Sequence, residues 1–225
     1  MQTKTPPVPE TAARTTAPPM GEPTQPETDP TPLTPRTVLT SCDVRRCGRL
    51  FGSLVLAAFV LYGVGSSLAD RPIGIVLVGL NSVAVVLLGG IGFRLLRSSD
   101  HKVGTAYLVT RLAEATLLFA GVAAVALGAP SGLDQTAYLV GMFVLGVGSI
   151  PFFLALRRRR LLTGWFAIWG VVGYALLATG ALVELVSGRS VAMAFAVPGG
   201  LFELALGVFL VWRGFGRVNA RPHSQ

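Results

Sequence analysis

Six long apolar segments limit this chain to one class of fold. Each contains about 20 residues or more, enough at ~1.5 Å per residue to cross a hydrocarbon core of ~30 Å. Backbone polar groups inside lipid must be satisfied within their own segment, so such stretches are expected to be helices. We therefore predict an all-α fold, a polytopic six-helix transmembrane bundle whose main partner is the lipid bilayer. The predicted spans are residues 50–69, 73–93, 103–128, 136–156, 163–187 and 191–212.

The composition excludes an ordinary soluble domain. Hydrophobic residues make up 52% of the 225-residue chain and charged residues 13%, whereas soluble domains carry about 25% charged residues. The first 40 residues differ from the rest, because they hold ten of the fifteen prolines, eleven threonines and no aromatic residue. Such a segment buries too little apolar surface to fold by itself. We predict a disordered Pro/Thr-rich tail over residues 1–44, a transmembrane domain over 45–215 and a short basic tail over 216–225.

The basic residues predict the orientation of the bundle. The net charge is +8, and sixteen of the nineteen arginines and lysines fall on one side if the spans alternate in direction. Basic loops stay in the cytoplasm, so both termini are expected there. The strongest topology determinants are four consecutive residues, Arg157, Arg158, Arg159 and Arg160. Because these charges flank apolar spans, we interpret them as topology signals and expect no nucleic-acid partner.

The sequence lacks the residues that many membrane enzymes and cofactor proteins require. Its histidines, His101 and His223, and its lysines, Lys4 and Lys102, all lie outside the predicted spans. A histidine-ligated haem or metal and a Schiff-base lysine are therefore not expected inside the bundle. We predict no metal and no cofactor, and an enzymatic function is disfavoured.

Three ionisable residues lie deep inside the predicted spans. Arg111 and Glu114 are spaced i, i+3 on one face of the third span, and Tyr107 lies one turn earlier on the same stripe. Counting ~1.5 Å per residue from the span ends puts Glu114 about 16 Å and Glu203 about 18 Å deep. Both carboxyl groups are therefore expected near the midplane, where an unpaired charge is costly. We predict one intramembrane polar cluster formed by Arg111, Glu114, Glu203 and Tyr107.

The charges of this cluster leave two functions open. One arginine and two glutamates sum to −1 when all are ionised, so a glutamate is protonated, a cation is bound or water enters. The first function is a small transporter or proton/cation-linked carrier that binds its cation at Glu114 and Glu203. The alternative is a structural or regulatory membrane subunit in which the charges clamp helices together. A homo-oligomer or a partner membrane protein is compatible with either.

Other span residues are secondary candidates. Asn81 and Glu184 are polar residues that bridge helices or lie at the membrane interface. A proline followed by two glycines is expected to kink or break the sixth helix just before Glu203. Small residues there also let a neighbouring backbone approach closely. The residues of this motif are Pro198, Gly199, Gly200 and Gly207.

Three segments carry a family resemblance. They are Arg111-Leu112-Ala113-Glu114, Gly164-Trp165 followed by Trp169-Gly170 and Gly173, and Val197-Pro198-Gly199-Gly200-Leu201-Phe202-Glu203-Leu204. Their order and spacing resemble the bacterial six-helix proteins called domain of unknown function 4386, over residues 45–215. The resemblance implies an integral protein of the bacterial plasma membrane in which Arg111, Glu114 and Glu203 belong to a family pattern. It implies no substrate.

Overall fold

The structure is a computed structural model that describes residues 41–68, 71–130 and 132–216. Most of the predicted N-terminal tail and all but the first residue of the basic C-terminal tail lie outside the described residues. The described part contains six helices and no strand. These helices are α1 (Ser41–Ser67), α2 (Pro72–Leu96), α3 (His101–Ala126), α4 (Leu133–Arg158), α5 (Gly164–Ser187) and α6 (Ala192–Arg213).

All six helices are long and apolar enough to cross a membrane, which confirms the predicted fold class. Their outward faces carry large exposed hydrophobic side chains, as a lipid-facing surface requires. The chain is therefore a multi-pass membrane protein. Helix α1 begins at Ser41, earlier than the apolar span predicted from residue 50, because more than two further turns, with exposed Arg45, Arg46 and Arg49, precede that span.

The helices form a closed ring in chain order. Each packs against the next along the chain, and α6 packs against α1. Because connections of only four to six residues join consecutive helices, their directions alternate. Helices α1, α3 and α5 therefore begin on one face of the ring. This face, which we call the basic face, also carries every basic cluster of the described loops and helix ends.

Glycines bring α1 and α6 together near the basic face. A side chain at Gly52 would begin 2.6 Å from the carbonyl oxygen of Gly207, and one at Gly207 would meet Leu56 at 2.7 Å. Further along, Gly200 has only Phe59 within van der Waals reach, at 3.6 Å from an added Cβ. The two helices are thus tightly packed at the basic face and less closely packed towards the opposite face.

Helix α6 is continuous from Ala192 to Arg213, so Pro198 does not break it, and a kink at Pro198 stays a prediction. Pro198 lies in the second turn, where it removes the hydrogen bond that its own nitrogen would donate and its ring crowds the carbonyl group of Ala194. The adjacent Gly199 packs on α5, where an added Cβ would lie 3.2 Å from the carbonyl oxygen of Gly173. The small residues therefore serve helix packing, as their spacing predicted.

Candidate functional site

Arg111 is the centre of a buried hydrogen-bond network. Its Nη1 donates to Oε2 of Glu114 at 2.8 Å, and its Nε donates to the hydroxyl of Tyr107 at 3.0 Å. Both Arg111 and Glu114 are only 4% exposed. The i, i+3 and i, i+4 spacings place these partners on one face of α3, so the local geometry follows directly from the helix period. A buried arginine is tolerated here because a carboxylate partner is within hydrogen-bond distance.

Tyr174 connects this network to Glu203 across two further helices. The Nη2 of Arg111 donates to the hydroxyl of Tyr174 at 3.4 Å. That hydroxyl in turn donates to Oε1 of Glu203 on α6, at 2.5 Å. The structure thus brings Arg111, Glu114, Tyr107 and Glu203 together, but Glu203 is reached through Tyr174 and not by a direct ion pair.

Sequence reasoning missed Tyr174, although a signal was present. The residue lies ten positions into α5, about 15 Å from its start at ~1.5 Å per residue, so its hydroxyl is deep in the hydrocarbon region. A polar group at that depth needs a partner. Only the rotation of α5 about its axis, which the sequence does not reveal, shows that the partner is the Arg111–Glu203 pair.

A central cavity of about 600 Å³ adjoins the cluster. All six helices contribute to its wall, which includes Arg111, Glu114, Tyr174 and Glu203. Most of the remaining wall is apolar, as is usual for a small-molecule site. Glu203 is partly exposed, unlike Glu114, and is the carboxylate that the cavity leaves accessible.

The cavity reaches the surface between α1 and α6. Several of its lining residues are also exposed on the outside of the bundle, and all of these belong to the two helices of that seam. They include Phe59 on α1 and Met193, Val197 and Leu201 on α6. The opening therefore lies where α1 and α6 diverge, and its rim is apolar except for Ser66.

Aromatic side chains close the cavity towards the basic face. Tyr107 stacks on Phe152 with ring centroids 3.7 Å apart, and Phe153 packs on Tyr174 at 5.3 Å. Phe152, Phe153 and Tyr107 are fully buried. On the other side of the cluster, Tyr62 of α1 stacks on Tyr138 of α4 across the ring, at 5.9 Å. These rings thus separate the cluster from the basic face, and the cavity opens between α1 and α6 in the other half of the bundle.

Asn81, one of the two secondary candidates from the sequence, also lines the cavity. It is 2% exposed, lines the cavity from α2, and its Nδ2 has no hydrogen-bond partner among the described residues. A buried amide without a partner costs free energy that water or a ligand in the cavity would recover. The cavity wall therefore presents two polar groups to a ligand, the amide donor of Asn81 and the accessible carboxylate of Glu203.

Glu184 is not part of the cluster and does not line the cavity. Its Oε2 accepts from the backbone nitrogens of Val191 and Ala192 at 2.9 and 2.8 Å, and its Oε1 accepts from Gln135 at 3.0 Å. The carboxylate satisfies the first amide groups of α6, where a negative charge is favourable. Glu184 therefore has a structural position at the α5–α6 connection.

Fold and site together define a multi-pass helical membrane protein with a charged cluster inside a central cavity. Residues 123–214 match the family model described as Domain of unknown function (DUF4386), which confirms the predicted resemblance over that region. The matched region contains Tyr174 and Glu203, whereas Arg111 and Glu114 lie before it. No curated protein and no solved structure matches the chain.

Proposed function

We propose that this protein is a proton- or cation-linked carrier and that Glu203 is its cation-binding carboxylate. One observation carries the proposal: both glutamates line the cavity, but Glu114 is buried and paired with Arg111, whereas Glu203 is partly exposed and has no charged partner among the described residues. Arg111 forms its ion pair with Glu114, so that pair is neutral overall. Glu203 accepts only from the neutral hydroxyl of Tyr174 among the described residues and adds a formal charge of −1 to the cavity wall. A cation offsets that charge in a low-dielectric setting.

The shape of the cavity supports transport over a purely structural role. A cluster that served only to hold helices would be packed on all sides, because a void forfeits dispersion contacts. Here the carboxylate of Glu203 borders a cavity that is closed by aromatic rings on one side and open between α1 and α6 on the other. A site that opens on one side is compatible with alternating access, in which the other side opens in a second conformation.

The test is cation flux into liposomes that contain the purified protein. We expect wild type to carry protons, Na⁺ or tetraethylammonium above the protein-free background, measured with an internal pH dye and with labelled cations. Glu203→Gln removes the charge at constant shape, so at least a tenfold loss of that flux is expected, about 1.4 kcal/mol in barrier terms. Glu114→Gln should reduce flux less, because Glu114 is already paired with Arg111.

Glu184→Gln is the matched control, since it removes a carboxylate that lies outside the cavity. Its flux should equal that of wild type. Background-level flux of all three cations in folded wild type, or equal losses in Glu203→Gln and Glu184→Gln, would contradict the proposal.

The second candidate is a structural subunit, and the hydrogen bonds of Arg111 favour it. Arg111 has partners on α3 and α5 and so ties two helices together. This role is compatible with transport, because it uses Arg111 and Glu114 and leaves Glu203 to the cavity.

For location, we propose the bacterial plasma membrane with the basic face, and hence both termini, in the cytoplasm. The support is the segregation of basic loops, which retain their side of the membrane during insertion. In cells whose native cysteines are replaced, a cysteine at exposed Arg158 should resist an impermeant maleimide applied from outside. A cysteine at exposed Arg189, on the opposite face, should react. The reverse labelling pattern would show the opposite orientation.

A further inference from the structure

A second cavity, which we call the basic cavity, lies at the basic face. Its volume is about 690 Å³, and it is lined by the start of α1, the α4–α5 connection, the end of α6 and the residues that follow α6. Four arginines from three separate parts of the chain line it, and none of its lining residues is acidic. These residues are Arg45, Arg157, Arg160 and Arg213. None of them forms a salt bridge with a described side chain.

The wall of the basic cavity is held by the segment after α6. The backbone nitrogen of Gly216 donates to the carbonyl oxygen of Leu161 at 3.0 Å, which fixes this segment to the α4–α5 connection. Phe215 is 1% exposed and packs edge-on against Phe51 at 5.7 Å. Gly214 lies so close to α1 that an added Cβ would be 2.7 Å from the carbonyl oxygen of Arg45. The arginines are therefore arranged around a packed base and are not scattered along a loop.

Two backbone features contribute to the positive charge of the basic cavity. One is the start of α5, and the other is the conformation of Arg160. The first turn of α5 begins at this cavity, and Thr163 provides no side-chain cap, so the first amide groups of the helix keep their donor capacity. Arg160 has φ 55°, the only positive φ of a non-glycine residue in the described part of the chain. This conformation ends α4 and keeps Arg160 on the cavity wall with Arg157.

We propose that the basic cavity binds the phosphate headgroup of an anionic phospholipid. Arginine guanidinium groups suit a phosphate because they donate paired hydrogen bonds to its oxygens. We assign this phosphate to a lipid of the bilayer because the surface beside the cavity is apolar and aromatic. Trp165 at the start of α5 is 59% exposed and Trp212 at the end of α6 is 83% exposed. Exposed tryptophans at helix ends lie at the headgroup level, so acyl chains would extend from the cavity along this surface.

The same tryptophans make the proposal testable. The full chain is reconstituted in phosphatidylcholine vesicles, and tryptophan quenching is measured with brominated phosphatidylglycerol and with brominated phosphatidylcholine. We expect wild type to bind the anionic lipid about tenfold more tightly than phosphatidylcholine. One arginine near an anionic headgroup contributes up to about a fivefold factor in affinity, so this preference needs the full contribution of fewer than two of the four arginines. The double variant Arg157→Gln/Arg160→Gln should lose most of this preference.

The matched control removes two charges from the same four-residue run without touching the cavity. Neither Arg158 nor Arg159 lines it, and Arg159 donates to the carbonyl oxygen of Ser99 instead. Arg158→Gln/Arg159→Gln should therefore retain the preference. Equal losses in the two double variants, or equal quenching of wild type by the two lipids, would overturn the proposal.

A further arm distinguishes a lipid from free phosphate. Millimolar inorganic phosphate, compared with sodium chloride at matched ionic strength, should not displace the brominated phosphatidylglycerol. Displacement by phosphate alone would overturn the assignment to a lipid and show that the site takes a soluble phosphate.

Discussion

Replacing Arg111 by alanine should destabilise the folded bundle by about 3 to 5 kcal/mol, the cost of leaving a buried carboxylate without its partner. Glu114 is 4% exposed, and Arg111 is its only described hydrogen-bond donor. The hydroxyl groups of Tyr107 and Tyr174 lose the same donor. The free energy of unfolding, measured by titration with sodium dodecyl sulfate in mixed micelles, gives the effect directly.

Two further variants separate the charge from the packing. Arg111→Ala/Glu114→Gln should recover part of the lost stability, because the unpaired charge is removed along with its partner. Arg46→Ala, an exposed arginine near the start of α1, should change stability little. An Arg111→Ala protein within about 0.5 kcal/mol of wild type would show that the network is not structural.

Gly52→Leu should have the second largest effect, a loss of about 3 kcal/mol from overpacking the α1–α6 contact. An added Cβ alone would lie 2.6 Å from the carbonyl oxygen of Gly207 and 2.9 Å from the backbone nitrogen of Val211. Backbone atoms cannot change rotamer to make room, so α1 must move away from α6. The same unfolding titration measures the loss.

Gly90→Leu is the control for helix propensity and added apolar volume. An added Cβ at Gly90 on α2 has nothing within 4 Å. This variant should be as stable as wild type or slightly more so, since leucine favours a helix more than glycine does. Equal effects of the two substitutions would show that the α1–α6 contact is not closely packed in the membrane.

The features that could be predicted from the sequence are those that depend on a single helix. Helix length and apolarity determined the six spans, and the i, i+3 spacing placed Arg111 beside Glu114. The role of Tyr174 depends on how α5 is rotated relative to α3 and α6, which no pattern within a single helix encodes. The cavity is likewise a property of six helices together. Pro198 was predicted to kink or break α6, and the helix continues through it without a break.

The seam between α1 and α6 has a mechanical consequence for the whole ring. Every other pair of neighbours is joined by a connection of four to six residues, whereas the first and last helices are held only by packing. The cavity opens at this seam. Widening the opening therefore stretches no loop and breaks no covalent restraint, and its free-energy cost is the van der Waals attraction between two helices. Among the described helices, α1 and α6 are thus the one neighbouring pair that no short connection restrains, and the cavity opens between them.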